Sequence, residues 1–181
     1  MASSELTPDE LEVRLAGLHE ESFGWALSCC GWDQADAEDV LQTTYLRVVS
    51  GRARFGGRSA FRTWLFGVIR QVAREHHRRL RAHRERAERV RLESAGEIDS
   101  APPSDDPVER AEERRILLAA LDELPPRQRE VLHLVFYHDL TIAEAAGVMD
   151  VSLGAARVHY ERGKKRLRSL LSARDLGARL P

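Results

Sequence analysis

The chain has 181 residues, 43% of them hydrophobic, 31% charged and only 6% aromatic, which is the composition of a soluble folded protein. Its longest apolar runs fall far short of the ~20 residues that a membrane-crossing helix needs, so no membrane span is expected. The formal net charge of -1 hides four blocks of alternating sign. Met1 to Leu46 holds ten acidic residues against Arg14 alone, a net of -9. Arg47 to Arg91 has fourteen arginines and three glutamates, a net of +11. Leu92 to Glu113 is acidic at -7 and Val151 to Arg174 basic at +6. One arginine-rich run reads as a solvated face; two, each beside a patterned helix, point to a polyanion.

Met1 to Asp9 lacks a basic region followed by an apolar stretch, so no secretory signal is read and a cytoplasmic home is expected. The two cysteines, Cys29 and Cys30, are neighbours. A bond between them would be strained and no C-x-x-C spacing exists, so they read as helix-packing residues.

Apolar spacing is helical nearly everywhere, which predicts an all-α chain. A first helix is expected over Pro8 to Ser28. A second begins near Asp36 or Ala37, with acids where the helix dipole favours them and a buried side of Val40, Leu41, Tyr45, Leu46, Val48 and Val49. Gly51, Gly56 and Gly57 then break the pattern into an arginine-bearing loop. Ser59 is a candidate N-cap for a third helix, whose Phe61, Trp64, Leu65, Val68, Ile69 and Val72 form one apolar stripe.

The polar, proline-bearing stretch after Arg91 is too poor in apolar residues to fold alone and reads as a linker. A second helical unit starts near Val108, stops at Leu124-Pro125-Pro126 and restarts at Arg127, with Val131, Leu132 and Val135 on one face until Asp139-Leu140. Thr141 and Glu144 have the spacing of a capping box opening a short helix to Val148, and Ser152 can cap the next helix.

From Thr141 to Leu167 the spacing is that of a helix-turn-helix. Ala145, Ala146, Ala155 and Ala156 allow two helices to approach closely, Val151 fills the space between them, and the turn falls at Met149-Asp150-Val151. Asp150 stands where such turns usually have glycine, and aspartate tolerates a left-handed conformation better than most residues. Arg157, His159, Tyr160, Arg162, Lys164 and Lys165 load the second helix with donors and cations. A helix in the major groove needs base-reading groups near its start and phosphate-binding groups farther along, which this order supplies. A helical hairpin inside a bundle is the bland alternative.

Two longer segments carry a resemblance. Asp36-Ala37-Glu38-Asp39-Val40-Leu41-Gln42-Thr43-Thr44-Tyr45-Leu46-Arg47-Val48, with Phe55-Gly56-Gly57-Arg58-Ser59-Ala60-Phe61-Arg62-Thr63-Trp64-Leu65, resembles sigma domain 2 of the extracytoplasmic-function RNA polymerase sigma factors. Leu121-Asp122-Glu123-Leu124-Pro125-Pro126-Arg127-Gln128-Arg129-Glu130-Val131-Leu132, with the helix-turn-helix after it, resembles sigma domain 4. The resemblance covers roughly Leu11 to Leu171, and the chain is too short for the middle domain of larger sigma factors.

The resemblance implies two small helical domains joined by a flexible linker: domain 2 over 1–91, linker over 92–113, domain 4 over 114–175 and a tail over 176–181. It implies a non-enzymatic initiation factor, with no cofactor and no metal, that binds core RNA polymerase and promoter DNA. Glu38, Asp39, Gln42, Thr43, Leu46 and Arg47 would meet the clamp helices of the largest polymerase subunit, Thr43 standing where the family commonly has an acid. Arg58, Ser59, Phe61, Arg62, Thr63, Trp64, Arg70, Gln71 and Arg74 would hold the melted minus-ten strand. That task needs stacking partners and cations. Phe61 and Trp64 also lie on the apolar stripe, which favours core packing for both, and Gln71 replaces a common asparagine. Ser152, Ala155, Arg157, Val158, His159, Arg162, Lys164 and Lys165 would read the minus-35 duplex. The flap of the second-largest subunit and an anti-sigma factor are further expected partners. The acidic linker is expected to fold against the basic surfaces when polymerase is absent.

A second reading is a LuxR-type helix-turn-helix regulator, which the segment from Arg127 also resembles. A regulator would carry a ligand or phosphoacceptor domain in the amino-terminal half. A third reading is a nuclease or metal-dependent enzyme built on His76, His77 and His83; it is discounted because neighbouring residues diverge by about 100 degrees around a helix and cannot both face one ion without other ligands, and metal analysis with a nuclease assay settles it. Those histidines are expected on a cationic helix near phosphates.

Overall fold

A computed structural model describes residues 6–91, 116–117 and 119–178, and among them every regular element is a helix. Seven helices follow in order: α1 (Pro8–Gly17), α2 (His19–Cys29), α3 (Gln34–Val49), α4 (Phe61–Arg91), α5 (Pro126–Phe136), α6 (Ile142–Met149) and α7 (Leu153–Ala178). A further helical segment ends at residue 122. The linker 92–113, the start near Val108 and the proposed docking of the acidic stretch lie outside the described residues.

The expected helix over Pro8 to Ser28 is two helices. Thr7 opens α1 with a capping box shared with Glu10, and the chain breaks at Leu18 (φ -106°, ψ 7°), next to Gly17. Glycine has weak helix preference, and Leu18 turns its side chain onto the core. α3 begins two residues earlier than its acid-rich turn suggests, because Asp33 is the cap and accepts from the Asp36 amide at 2.9 Å. Leu46 and Val49, expected on its buried side, are 65% and 69% exposed. The inward stripe is instead Ala37, Val40, Leu41, Thr44 and Val48. α4 starts at Phe61, and Ser59 does not cap it: its hydroxyl donates to the Ala60 carbonyl at 3.3 Å.

The two halves of the chain share one apolar core. Trp25, Leu65, Phe66 and Ile69 lie in the same buried cluster as Val131, Leu134, Leu140, Ala145, Val148 and Met149. α4 is the common element: α2 and α3 pack against it, and so does α6 from the second half. Trp25 is fully buried, and its indole N–H donates to the Phe66 carbonyl at 3.0 Å, satisfying the one polar group that burial would otherwise strand.

In the second half Pro126 opens α5 and α7 crosses it at Gly163. A Cβ there would stand 3.2 Å from Leu132 Cδ1 and 3.3 Å from the Gln128 carbonyl oxygen, so only glycine fits the crossing without displacement. α6 has the expected capping box between Thr141 and Glu144 and ends at Asp150, which is left-handed at φ 53° and ψ 55°. Ser152 Oγ accepts from the Ala155 amide at 3.1 Å and starts α7.

Candidate nucleic-acid interface

α6 and α7 are held as one block. Ala145, Ala146 and Ala156 are buried where the helices meet, and Val151 packs against the core. Arg127 reaches from α5 to the Met149 carbonyl at 3.0 Å, satisfying an acceptor freed where α6 ends. The Thr141 hydroxyl and amide hold the Glu144 carboxyl below its usual range, so the cap stays charged. With shape settled on the inner side, α7 turns Arg157, Val158, Arg162 and Lys165 outward. Ser152 is exposed at its start, while Ala155 and His159 are half-buried. Lys164 lies along the helix instead, 3.1 Å from Glu161 and with its ammonium 4.5 Å from the Tyr160 ring centre.

The residues assigned to a melted strand are dispersed. Arg58, Ser59, Gln71 and Arg74 are exposed. Phe61 is buried and forms an aromatic trio with Phe55 and the half-buried Trp64, their ring centres 5.3 to 5.4 Å apart. Both stripe aromatics are therefore packed rather than presented. Thr63 is 5% exposed and lies under α6, its Cγ2 standing 3.8 Å from where a Cβ on Gly147 would be. Arg62 pairs with Glu21 of α2 at 3.0 Å. Arg70, 5% exposed, makes two hydrogen bonds to Glu130 of α5, Nε to Oε1 at 3.0 Å and Nη2 to Oε2 at 3.2 Å. Five of the nine positions, Phe61, Arg62, Thr63, Trp64 and Arg70, are thus engaged by the protein itself, and the exposed Gln71 donates to Glu75 at 3.2 Å.

On α3, Glu38, Asp39, Gln42 and Leu46 are exposed and Thr43 half-buried. Glu38, Asp39 and Gln42 line a shallow groove with His19, Phe23 and Tyr45. Arg47 is paired with Glu75 of α4; that guanidinium is the main reason the Glu75 carboxyl sits below its usual range.

The histidines near α4's middle have partners within the protein. His76 Nε2 is 2.8 Å from Asp36 Oδ1, and His77 Nε2 is 3.0 Å from the Cys29 carbonyl, so both tie α4 to the first half's own helices. Among the described residues no three His, Cys, Asp or Glu side chains gather as a metal would need. Cys29 and Cys30 are both free thiols; burial raises Cys29 well above the ordinary range and Cys30 to about 12. Glu130, Arg127, Gly163, Trp25, His133 and His138 were missed from sequence. Their partners lie far along the chain, with 60 residues between Arg70 and Glu130, and no local pattern marks such pairs.

Comparison with known proteins supplies the family. The profile described as Sigma-70 region 2 matches residues 23–83 and that described as Sigma-70, region 4 matches 114–167. The RNA polymerase sigma factor CarQ of Myxococcus xanthus is 34% identical over 143 residues, 77% of either chain. The ECF RNA polymerase sigma factor SigX of Bacillus subtilis is 31% identical over 137 residues, 75% of this chain and 71% of its own. The chain belongs to the extracytoplasmic-function sigma factors. It is a factor that directs RNA polymerase to promoters, and the LuxR-type alternative is not favoured, since the amino-terminal half is a sigma region 2. The sigma factor RpoE, solved with the anti-sigma factor NepR from Bartonella quintana, has the same fold: TM-score 0.67 at 20% identity, over 89% of this chain and 96% of that one. CnrH, solved with the cytosolic domain of CnrY, gives 0.63 at 22%, over 92% and 90%. No helix of the described sigma factor is long and apolar enough to cross a membrane.

Proposed function

We propose that this sigma factor touches promoter DNA at two places while mounted on core polymerase, with residues 1–91 and 114–175 as its two working domains. The observation that carries the proposal is the outward face of α7, where Arg157, Val158, Arg162 and Lys165 stand exposed on a helix fixed by Gly163, Ala156 and the Asp150 turn. Such a face suits major-groove reading of the minus-35 element, with cations left for phosphates. His159, Ala155 and Ser152 flank it, and Lys164 adds a cation beside it, paired with Glu161.

The α3 groove lined by Glu38, Asp39 and Gln42, together with Thr43 and the exposed Leu46 on the same helix, is the proposed clamp-helix contact. Arg47, paired with Glu75 and partly exposed, is the basic member of this proposed contact. The minus-ten strand belongs to the Arg58 loop, Gln71 and Arg74 first. Thr63 and Arg70 join once the second half has moved off α4, since α6 and Glu130 now hold them, and Arg62 joins once its pair with Glu21 of α2 opens. Linking the two domains through polymerase makes promoter spacing part of specificity, because each bound domain raises the local concentration of the other. The exposed Phe136 and Tyr137 of the second half suit the flap of the second-largest subunit. An anti-sigma factor that holds the halves together is the matching control, and cytoplasmic residence follows from the work.

Run-off transcription with purified core polymerase on a genomic fragment library tests this. Arg157→Ala and His159→Ala should impair start-site choice while polymerase binding stays. Asp39→Ala or Gln42→Ala should do the converse. Loss of polymerase binding in the Arg157 variant would contradict the assignment.

A further inference from the structure

The contact between the halves has two histidines at its centre. His133 of α5 is 9% exposed and His138, two residues after α5, is 3% exposed. Their rings lie 5.0 Å apart and are enclosed by aromatic groups of the first half. Trp25 stands 5.7 Å from His133 and 6.0 Å from His138, Phe66 is 4.7 Å from His138, and Trp32 is 5.9 Å from His133. Among the described residues neither His133 Nδ1 nor His138 Nε2 has a hydrogen-bond partner. A neutral ring tolerates such a place; an imidazolium, with two N–H donors to satisfy and a charge to solvate, does not.

We propose that His133 and His138, closed between the two halves, are an acid-operated latch whose protonation parts them and frees the strand-holding face of α4. The proposal rests on the reading of that face given above. The groups around the latch are set against easy protonation. From α2, Glu21 faces His138 but is committed to Arg62 of α4, and Asp139 beside the ring is an exposed carboxylate. From α5, Arg129 faces His133 while pairing with Asp122, and Glu130 is committed to Arg70 of α4. Glu144 of α6 acts on Arg62 and is held by Thr141. Burial, then the neighbouring His138 and Arg129, holds His133 down at about 3. His138 is held at about 4, burial outweighing the pull of Glu21.

The working pH is set by the parted state, not the closed one. Once in water each ring binds a proton near its ordinary value of about 6.5. The parted state therefore gains protons that the closed state refuses between about pH 6.5 and 4, and closure weakens as pH falls through that window. For two rings, lowering the pH from 7.5 to 5.5 shifts the closed-to-parted ratio by roughly 100-fold, or roughly tenfold per ring.

The test is small-angle scattering of the full chain at pH 7.5 and 5.5. It is run on the wild type and on Glu130→Gln, whose weakened ion pair brings the parted population into range. In Glu130→Gln the ratio of compact to extended molecules should fall by roughly 100-fold, with far-UV helicity unchanged. Adding H133F and H138F together should abolish the shift, and either alone should leave about tenfold. A shift under threefold in Glu130→Gln overturns the latch. So does an equal shift in the folded phenylalanine variants, or loss of helicity in place of parting. Binding to core polymerase at pH 7.5 is measured alongside. Its absence would count against the sigma-factor roles assigned to the surfaces and leave the scattering result standing, whereas a flat scattering response with normal polymerase binding removes the latch alone.

Discussion

Replacing Arg70 by Met and Glu130 by Gln, singly and together, measures whether the halves meet in solution as they do here. The Arg70 side chain is 6% exposed and that of Glu130 22%, and two hydrogen bonds join them. An exposed ion pair contributes about 0 to 1 kcal/mol, while breaking a fully buried one costs about 3 to 5 kcal/mol. A pair with one partner enclosed and the other about a fifth open falls between these limits, so a coupling of about 2 kcal/mol is expected from the double-mutant cycle. The two singles should differ in cost. Arg70→Met leaves a carboxylate that still has Arg127 within 3.4 Å, whereas Glu130→Gln leaves a buried guanidinium facing one amide oxygen. Glu130→Gln is therefore the more damaging. Urea unfolding followed by tryptophan fluorescence gives all four stabilities. A coupling below about 0.5 kcal/mol would mean that the two side chains seldom touch, and the account of Arg70 as engaged by the protein would fail.

Gly163→Val should destabilise the second half by about 1 to 3 kcal/mol, read as a lower urea midpoint, because its branched side chain must push Leu132 and the Gln128 carbonyl apart. Asp150→Gly removes the strain of a left-handed residue with a side chain and should raise the thermal midpoint, by about 0.5 to 1 kcal/mol in stability terms. Lowering pH from 7 to 5 should cost global stability as well: His133 and His138 have folded values of about 3 and 4, below the unfolded value, so stability is whole above about 6.5 and lost below it. Chemical denaturation across that range should show the loss, and a flat profile would contradict burial of the two rings. Arg157→Ala should weaken duplex binding and reduce the salt dependence by about one phosphate contact, measured by anisotropy at several salt concentrations.

Much of this was legible in the chain. Capping at Thr141 and Ser152, the left-handed Asp150 and the alanine contacts all obey rules that act over three or four residues, and the structure has each of them. The misreadings come from competition between local and distant terms. Leu46 and Val49 look like core residues by type, yet the inward face of α3 is decided by α2 and α4, which leave both in the open. His76 and His77 sit among arginines in sequence, and no local pattern marks their partners in space, Asp36 and the Cys29 carbonyl. Nothing local announces Trp25 as the hub of the shared core or Glu130 as the partner of Arg70. Periodicity identifies a buried face without identifying what covers it.

The crossing at Gly163 also bears on how such a protein changes over time. α7 is set by the buried Ala156 and by Gly163 pressed on Leu132 and Gln128 of α5, while Arg157, Val158, Arg162 and Lys165 are exposed to solvent. On the proposed duplex-reading role of that face, promoter preference drifts by substitution at a handful of outward sites without disturbing the scaffold beneath. Duplicated copies could come to command separate sets of genes while remaining interchangeable in shape.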